Sequence, residues 1–341
     1  MTKTALVYHQ DYLLHDIPLH PERKERLTTT LDLFQKKGIL EKVELITPHQ
    51  ASEEDILRTH NEDLLKKIKE ISSKGRGSID ADTLLNAHTY QVALLAAGGA
   101  ILAAKLLLEG EYKNSFALIR PPGHHATKNQ AQGFCYFNNV AVAANYLREV
   151  YKVKKICIMD WDAHAANGTM DIFYQTNEVL NISIHQDPLF FYPGVGFIDQ
   201  IGEGKGQGYT INIPMEEAAL DIDYLYLINE FIIPKIREFK PDFIFISSGI
   251  DGHKNDRISS LELTEEGFGR MSSLFVALSE ECCQGRLVVL LEGGYHLEAL
   301  ALSNYEIMKS LLSESNYTTP LEGKILKSTY RTLEKLNSIF K

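Results

Sequence analysis

The chain has 341 residues, of which 44% are hydrophobic, and this is enough material for one large α/β domain with a sizeable core. Its formal charge of −10 argues against a nucleic-acid partner, because such binding depends on clustered Lys and Arg. None of the four cysteines belongs to a C-x-x-C pair. Neither a thiolate zinc finger nor a disulfide framework is therefore indicated.

Targeting and membrane segments are not predicted. The N-terminal stretch MTKTALVYHQDY lacks the long apolar core of a signal peptide. The most apolar helical stretch, Val92–Leu108, is interrupted by Gly98, Gly99 and Lys105, so we expect it to fall short of a membrane span. These features predict a reduced, cytoplasmic protein without a membrane partner, and they leave homo-oligomerisation open.

Strands and helices alternate along the chain. Apolar runs rich in Val and Ile predict strands at Ala5–Tyr8, Val43–Ile46, Ser115–Ile119, Ile156–Asp162, Leu180–His185, Tyr209–Ile213, Phe243–Ser247 and Leu287–Leu291. Helical patterns lie at Pro21–Lys37, Glu53–Ser73, Tyr90–Glu109, Asn138–Val150, Ile222–Phe239, Leu263–Cys282 and Leu297–Ser313. Several strands are apolar throughout, which is typical of parallel strands buried on both faces. The order predicts an α/β fold with a single doubly wound, mainly parallel eight-stranded sheet flanked by helices, in one domain over residues 1–341. The stretches 73–86 and 186–207 are predicted to be loops.

Polar clusters follow four of the predicted strands. They are Arg120–His125, Asp160–His164, Ile250–His253 and Glu292–Tyr295. Ligands of open parallel sheets bind at the carboxyl ends of the strands. The four clusters should therefore converge on one crevice.

The second cluster predicts a metal site. Side chains alternate along an extended chain, so Asp160, Asp162 and His164 should point the same way. Like-charged carboxylates in this arrangement repel each other unless a cation lies between them. Imidazole and carboxylates without a thiolate suit catalytic Zn²⁺, Fe²⁺ or Mn²⁺, and Asp251 ends a separate strand nearby. The alternative is a hydrogen-bonded surface turn.

His124 and His125 form a second group that titrates near neutral pH. A Pro-Pro-Gly segment that suits neither helix nor ladder strand holds them in a rigid turn. A lone histidine is more often structural, but two of them facing a carboxylate-lined crevice indicate an acid/base pair.

These clusters, in this order, resemble the zinc-dependent histone deacetylase family and its bacterial acetylpolyamine amidohydrolase relatives, which share the arginase–deacetylase fold. The matching stretches include HDIPLHPERKERL, RPPGHHA, GFCYFNNVAVAA, DWDAHAANGT, SSGIDGHKND and LEGGYHLEAL. They cover residues 15 to 300 and are closer to the class II and prokaryotic members than to class I. The resemblance implies hydrolysis of an acetyl or short acyl amide, with acetyl-lysine or an acetylated polyamine as the substrate.

The resemblance assigns catalytic roles position by position. Asp162, His164 and Asp251 match the ligands of one catalytic zinc ion, although iron could take the same place in the cell. His125 matches the general base, and His124 matches the neighbouring histidine that stabilises charge. The other matching groups are two that orient the histidine rings and a hydroxyl donor that polarises the substrate carbonyl; they are Asp160, Asn167 and Tyr295.

The resemblance also implies a narrow acyl-lysine channel and structural potassium. The channel positions are Gly133, Phe134, Tyr192, Ile258, Gly294 and Arg26, the last of which matches an arginine associated with acetate release. The positions of an inner potassium site are Asp160, Asp162, His164 and Ser183. Those of an outer site are Phe173, Thr176, Val179 and Tyr209. Nearby acids Asp80 and Asp82 match a region that holds substrate backbone or cationic tails, and they could equally be solvated loop acids.

Four positions depart from the family pattern. Ala165 and Ala166 replace a histidine and a glycine that do not ligate zinc, so we expect activity with a changed loop shape or potassium site. Asn167 replaces the aspartate of class I, and this neutral partner suits a base that rests neutral. Ile258 stands where the polyamine-preferring vertebrate member has a glutamate, which weakens a spermidine-type specificity.

Two other functions stay open on the sequence. One is a dinuclear manganese ureohydrolase of the arginase type, which needs further aspartates and a histidine for a second ion. The other is a non-catalytic protein that binds acylated ligands. The ligands, the base and Tyr295 are all present, which favours the deacetylase.

Overall fold

A computed structural model describes residues 3–318, 321 and 323–341. The strands are β1 (Lys3–Val7), β2 (Glu44–Ile46), β3 (Arg76–Ser78), β4 (Leu84–Asn86), β5 (Tyr112–Ala117), β6 (Ile156–Asp160), β7 (Val179–Gln186), β8 (Thr210–Met215), β9 (Phe243–Ser248) and β10 (Leu287–Leu291). Eight of them form one sheet in the order β2-β1-β5-β10-β9-β6-β7-β8, and every neighbouring pair is parallel. The predicted α/β sheet is confirmed.

Helices flank this sheet. They are α1 (Glu25–Lys36), α2 (Glu53–Leu57), α3 (Glu62–Ser73), α4 (Thr89–Leu108), α5 (Asn139–Val150), α6 (Asn167–Phe173), α7 (Asp221–Leu227), α8 (Ile233–Phe239), α9 (Glu265–Cys283), α10 (Leu297–Leu311) and α11 (Lys327–Ile339). A π-helical turn, Ile228–Ile232, joins α7 to α8. Helix α4 packs against α5, β1 and β5, while α10 packs against α1 and α9. All residues of β6, β7, β9 and β10 are buried, as their apolar runs predict.

Helix α4 corrects one expectation. By length and composition this helix could cross a membrane, yet 78% of its most apolar window is buried inside the molecule, which is the pattern of a core helix. Its two glycines lie where other parts of the chain leave no room for a side chain. A Cβ at Gly98 would lie 2.0 Å from the His49 carbonyl oxygen, and one at Gly99 would lie 2.5 Å from the Tyr12 hydroxyl.

The predicted helix Glu53–Ser73 is two helices. The Asn61 side chain accepts a hydrogen bond from the Leu64 N–H and so begins α3 with an N-cap. An asparagine before Glu62 and Asp63 is a start signal, so this boundary could have been predicted. The long predicted helix Ile222–Phe239 is likewise interrupted, by the π turn.

Four elements were not predicted. Strands β3 and β4 form a short antiparallel hairpin inside the loop predicted at 73–86. Helix α6 begins directly after the metal-site cluster, and α11 follows all the predicted elements. Helix α11 has no side-chain N-cap, but Tyr330, Leu333 and Leu336 recur at helical spacing, so its amphipathic pattern could have been predicted.

Candidate active site

The four polar clusters follow four consecutive strands of the sheet. Strands β5, β10, β9 and β6 are neighbours in that order, and each cluster begins where its strand ends. Because the strands are parallel, their carboxyl ends meet at one edge. The predicted convergence on one crevice is confirmed.

Asp162, His164 and Asp251 come together at this edge. Their ligand atoms all lie within 4.8 Å of one another. His164 Nδ1 lies 3.0 Å from Asp162 Oδ1 and 3.0 Å from Asp251 Oδ2. Both carboxylates are fully buried. This separation is suited to three ligand atoms that share one ion.

The three ligands meet through turns and not along an extended strand. Strand β6 ends at Asp160, two residues earlier than predicted. Asp160 Oδ1 then accepts a hydrogen bond from the Asp162 N–H, and Asp162 Oδ1 accepts one from the His164 N–H, both at 2.9 Å. The prediction that these side chains point the same way along an extended strand was therefore wrong. Successive aspartate turns gather the same side chains.

The surroundings of the carboxylates fit a cation. Asp251 Oδ2 is buried and makes no hydrogen bond, and a carboxylate oxygen left in this state is costly unless it is paired with a positive charge. The other oxygens are fixed by the backbone, since Asp251 Oδ1 accepts from the Ala163 N–H and Asp162 Oδ2 from the Gly293 N–H. A Cβ at Gly249 would lie 2.0 Å from Asp162 Oδ2, so glycine leaves the space that this carboxylate occupies.

His124 is held between two carboxylates. Its Nδ1 lies 3.0 Å from Asp160 Oδ2, and its Nε2 lies 3.8 Å from Asp162 Oδ1. Burial by itself lowers the pKa of His124, but the negative charges of Asp162 and Asp160 outweigh it and raise that pKa well above its ordinary value. His124 is therefore cationic at neutral pH.

His125 is in the opposite state. Burial and the neighbouring charges of His124 and His164 lower the pKa of His125 well below its ordinary value. Its Nδ1 lies 2.6 Å from Asn167 Oδ1, and the amide oxygen can only accept, so Nδ1 carries the proton. His125 Nε2 is therefore a free base beside a cationic neighbour, and the two ring centroids are 4.0 Å apart.

Glu292 joins the histidine turn to the end of β10, a role that the sequence did not reveal. Its Oε2 accepts from the N–H groups of Gly123 and His124 at 2.7 and 3.1 Å, and its Oε1 accepts from the Ser247 hydroxyl at 3.1 Å. Burial raises the pKa of Glu292 to about 7. An acid directly after an apolar strand was the available signal.

Tyr295 lies on the loop after β10, and Arg26 contacts this loop from the start of α1. The Arg26 guanidinium lies 5.1 Å from the centre of the Tyr295 ring, and its Nε donates to the Gly294 carbonyl at 2.7 Å. Burial raises the pKa of Tyr295 well above its ordinary value, so the hydroxyl stays protonated. Arg26 also pairs with Glu22, which forms a buried double salt bridge with Arg120. The part of Arg26 in acetate release stays a prediction.

The channel walls are held in strained backbone. Gly133 and Phe134 have φ of 56° and 66° and form the tip of a tight turn closed by mutual hydrogen bonds between Gln132 and Cys135. A phenylalanine in the left-handed region is uncommon and indicates a functional constraint. The Phe134 ring packs edge-on against Tyr295, with 5.7 Å between the ring centroids.

The opposite wall comes from the loop after β7. The Tyr192 ring packs edge-on against His125, with centroids 5.0 Å apart. Phe191, which the sequence analysis did not assign, stacks on His164 at 4.6 Å. Ile258 is half-buried on the loop after Asp251. This arrangement places Tyr192 against His125 and Phe134 against Tyr295.

The structure shows where the acidic loop and the predicted potassium positions lie. Asp80 Oδ1 accepts from the N–H groups of Asp82 and Thr83, so this carboxylate caps its own turn. Ser183 pairs with Asp160 across β6 and β7, and its Oγ accepts from the Ala166 N–H at 3.3 Å. The outer positions surround the end of α6 and the start of β7; they are Phe173, Thr176, Val179 and Tyr209. Potassium stays a prediction at both sites.

The alanine departures have a packing reason. Ala165 is buried, and a Cβ added to Gly196 would lie 2.5 Å from the Ala165 Cβ. The 187–201 segment therefore packs directly against the residue after His164. A histidine side chain at position 165 would need that segment to move.

A model of the histone deacetylase domain matches residues 20–311. The chain is 46% identical over 312 residues to a probable deacetylase of Archaeoglobus fulgidus, covering 90% of this chain and 86% of that protein. It is 37% identical to a histone deacetylase-like amidohydrolase of Pseudomonas aeruginosa, covering 81% of this chain and 71% of that protein. Against histone deacetylase 5 of Arabidopsis thaliana it is 35% identical over 97% of its own length and spans about half (52%) of the relative.

A solved structure agrees with these matches. The crystal structure of the HDA15 HD domain superposes with a TM-score of 0.93 at 32% identity, covering 99% of this chain and 96% of that chain. The similarity therefore extends over the sheet, the flanking helices and the clusters at the strand ends.

Proposed function

The chain belongs to the histone deacetylase family, and we propose that it is a zinc-dependent amidohydrolase that removes an acetyl or short acyl group from an amine. The amine is the side chain of an acetyl-lysine or an acetylated polyamine. The observation that carries this proposal is the convergence of three metal ligands beside the paired rings of His124 and His125. Hydrolysis of an amide needs a base, an electrophile and a proton donor, and this site offers all three.

Asp162, His164 and Asp251 would hold the zinc ion. Zinc at this place supplies a Lewis acid for the amide carbonyl and lowers the pKa of water to about 7. Their hydrogen bonds to the Ala163 and Gly293 N–H groups fix the carboxylates before the ion arrives. The site is therefore preorganised for one ion.

The chain's own residues account for the proton transfers. His125 takes a proton from the attacking water at Nε2, because Asn167 keeps the other proton on Nδ1. As the C–N bond breaks, His125 returns this proton to the leaving amine, so that the carboxylic acid and the free amine are released. The His124 cation and the Tyr295 hydroxyl stabilise negative charge that develops on the carbonyl oxygen. Phe134 and Tyr192 border the path of an acyl chain to this point.

A turnover assay tests the proposal. Protein loaded with one equivalent of Zn²⁺ is mixed with a fluorogenic acetyl-lysine substrate, acetylputrescine, acetylspermidine and longer acyl-lysines. We expect turnover of at least one of them, loss on chelation, restoration by zinc and inhibition by a hydroxamate. Absence of turnover on every substrate, or turnover unchanged by His125→Ala, would contradict the proposal.

Metal analysis separates the proposal from the arginase-type alternative. Among residues 3–318, 321 and 323–341, one group of three candidate ligands is brought together, which supports a single ion. We expect one zinc ion per chain at saturation. Two manganese ions per chain, together with release of urea from a guanidino substrate, would favour the alternative.

A further inference from the structure

Tyr295 lies on the segment between β10 and α10, and the backbone of this segment decides where its hydroxyl lies. Among the residues that the structure describes, the Tyr295 hydroxyl makes no hydrogen bond. Its ring meets Phe134 edge-on and lies 5.1 Å from the Arg26 guanidinium, and neither contact fixes the direction of the hydroxyl. The groups that hold the backbone on either side of Tyr295 therefore set the position of the oxyanion donor.

The carboxylate of Asp256 holds this backbone from the neighbouring loop. Its Oδ2 accepts from the N–H groups of Tyr295 and His296 at 2.6 and 3.0 Å. Asp256 is buried, and hydrogen bonds to a carboxylate are stronger there than in water. Two N–H groups on one oxygen fix both peptide planes that flank the Tyr295 Cα, and with them the direction of its Cα–Cβ bond.

The same carboxylate lies at the start of α10. His296 is the N-cap of this helix, and its Nδ1 accepts from the Ala299 N–H. A helix of 15 residues carries partial positive charge at its N-terminus, where a carboxylate is favourable. The helix thus gives the Tyr295 segment a rigid end, and Asp256 binds the segment at the point where the helix begins.

The carbonyl groups of the segment are held from the opposite side by Arg26. Its Nε donates to the Gly294 carbonyl at 2.7 Å, and its Nη2 donates to the Glu292 carbonyl. Gly294 has φ of 110°, and a Cβ there would lie 2.9 Å from the Cβ of Ile250, so glycine lets the segment close on the loop that carries Asp256. A buried cation and a buried carboxylate therefore hold the segment between them.

Asp256 also belongs to the loop that carries the metal ligand Asp251. Its own N–H donates to the His253 carbonyl at 2.7 Å, and its Oδ1 accepts from the Ile258 N–H at 3.2 Å. These hydrogen bonds keep the Asp256 side chain in a fixed place relative to Asp251. The loop that supplies a metal ligand therefore also supplies the anchor of Tyr295.

We propose that Asp256 is a positioning residue that holds the Tyr295 hydroxyl where negative charge develops on the substrate carbonyl. This inference rests on the proposed function of the site. Asp256 contacts the Tyr295 segment through backbone N–H groups, so its effect on the reaction passes through Tyr295. Because a displacement of about 1 Å can cost about 10²-fold in rate, loss of this anchor should lower kcat without changing KM.

A double-mutant cycle tests the proposal. Asp256→Asn keeps the size of the side chain but leaves one accepting oxygen for three backbone N–H groups. We expect kcat to fall by about 30-fold in the wild-type background, with KM and zinc content unchanged. In the Tyr295→Phe background the same substitution should lower kcat by less than about twofold, because the hydroxyl that it positions is absent. Losses that multiply, or a wild-type kcat in Asp256→Asn, would overturn the proposal.

Asp223→Asn is the matched control for a purely structural role. Asp223 is buried and accepts from the Leu220 and Leu326 N–H groups at 3.0 and 2.8 Å. Its substitution should lower Tm by an amount similar to that of Asp256→Asn and leave kcat unchanged. If Asp256→Asn does not fold, Asp256→Ser replaces it in the cycle, since serine leaves room for water at the freed N–H groups. Loss of zinc from either Asp256 variant would place the effect at Asp251 and overturn the proposal.

Binding of hexanohydroxamic acid separates failure of the positioning role from failure of the proposed function. The zinc-loaded protein is titrated by calorimetry, and the hydroxamate carbonyl takes the place of the substrate carbonyl as acceptor for the Tyr295 hydroxyl. We expect Tyr295→Phe to raise Kd by about tenfold, Asp256→Asn by about fivefold, and the double variant by no more than Tyr295→Phe alone. If no substrate is turned over but this pattern is found, Asp256 positions Tyr295 and the proposed function fails. If substrates are turned over and the losses multiply, the proposed function stands and the positioning role is overturned.

Discussion

The deep end of the crevice and its mouth are built in different ways. At the deep end, Asp162 and Asp251 are fully buried, and backbone N–H groups of neighbouring strand ends hold three of their four carboxylate oxygens. At the mouth, Phe190 is almost fully exposed, and Tyr192 exposes 45% of its surface. The parallel sheet determines the position of the chemical groups, whereas loops determine what can approach them.

This difference separates reaction from selectivity. Substitutions at the deep end leave a buried charge unpaired or remove a proton carrier, so they should affect every substrate. Substitutions at the mouth change contacts made by one substrate and not by another. The expected changes in kcat/KM therefore range from several powers of ten for substitutions of the metal ligands to a few-fold for substitutions at the rim.

Removal of a metal ligand should have the largest effect. Asp251→Ala takes away the carboxylate whose Oδ2 has no protein hydrogen bond, so we expect zinc content to fall from one per chain to near zero. The kcat/KM for every substrate should fall by about 10³-fold or more. Metal content is measured by plasma emission spectroscopy alongside turnover. Asp242→Ala is the control, because Asp242 accepts from the Lys154 and Lys155 N–H groups at the other end of the sheet. Full zinc content in Asp251→Ala would show that the ion is held elsewhere.

Removal of the Tyr295 hydroxyl should rank second. Tyr295→Phe keeps the ring between Phe134 and Arg26 but removes the donor to the developing oxyanion. We expect kcat to fall by about 10²–10³-fold with little change in KM. Zinc content and thermal stability should match the wild type. A variant with unchanged kcat would mean that the hydroxyl does not contact the reacting carbonyl.

The clusters at the deep end could be predicted from the sequence because their signals are local. An apolar run followed within a few residues by Asp, His or Glu marks both the strand and its functional end, as at Asp162 and Asp251. The aspartate turns that gather the ligands were not predicted, since alternation along a strand gave the same grouping by a different geometry. The contact of Glu292 with the Gly123 N–H joins residues 169 positions apart, and no local pattern reports such a pair.

The mouth could be predicted only in part. Phe134 and Tyr192 were assigned through the family resemblance, whereas α11 was not predicted although Tyr330, Leu333 and Leu336 recur in it at helical spacing. Its position follows from long-range contacts such as the Thr329 hydroxyl with Asp223. Loops and terminal helices of this kind are positioned by packing, so their place in a site emerges only from the folded chain.

The segment that follows His125 is held by one buried, neutral imidazole, that of His60. His60 Nδ1 donates to the Thr127 carbonyl at 2.9 Å, and Nε2 accepts from the Asn138 N–H at 2.8 Å. Burial lowers the pKa of His60 to about 4. Because the unfolded chain binds this proton first, His60 should cost about 3 kcal/mol of stability as the pH falls from about 6.5 to about 4.

Urea unfolding of the metal-free protein at several pH values measures this cost. The His60→Gln variant should be less stable than the wild type at pH 7.5 but should lose less stability on acidification, with a difference of about 3 kcal/mol in the total pH-dependent change. His88→Gln, at an exposed position, is the control and should follow the wild type. Identical pH dependence in the His60→Gln variant would show that His60 is already charged in the folded state.

Substitution of Glu292, whose carboxylate joins the histidine turn to the end of β10, should have a moderate effect on kcat. Glu292→Gln retains an oxygen for the Gly123 or His124 N–H but removes the negative charge, so we expect kcat to fall by about tenfold while KM and zinc content stay the same. Asp242→Asn is the matched control, since that side chain also accepts from two backbone N–H groups. A Glu292→Gln enzyme with wild-type kcat and only a lower Tm would mean that Glu292 is structural alone.

The smallest expected effect lies at the rim and tests whether the mouth sets selectivity. Ile258 is half-buried on the loop that follows Asp251, and the family resemblance assigns it to the substrate channel. Ile258→Glu should raise kcat/KM for acetylspermidine by about three- to fivefold and lower it for a leucine-containing acetyl-lysine peptide by a similar factor, since a partly exposed ion pair contributes about 1 kcal/mol or less. Ile258→Gln separates the charge from the loss of apolar surface, because it should lower peptide turnover without the gain on the polyamine. If Ile258→Glu changes both substrates in the same direction, position 258 acts on the catalytic geometry through its neighbour Asp251, and the separation between the two ends of the crevice does not extend to this loop.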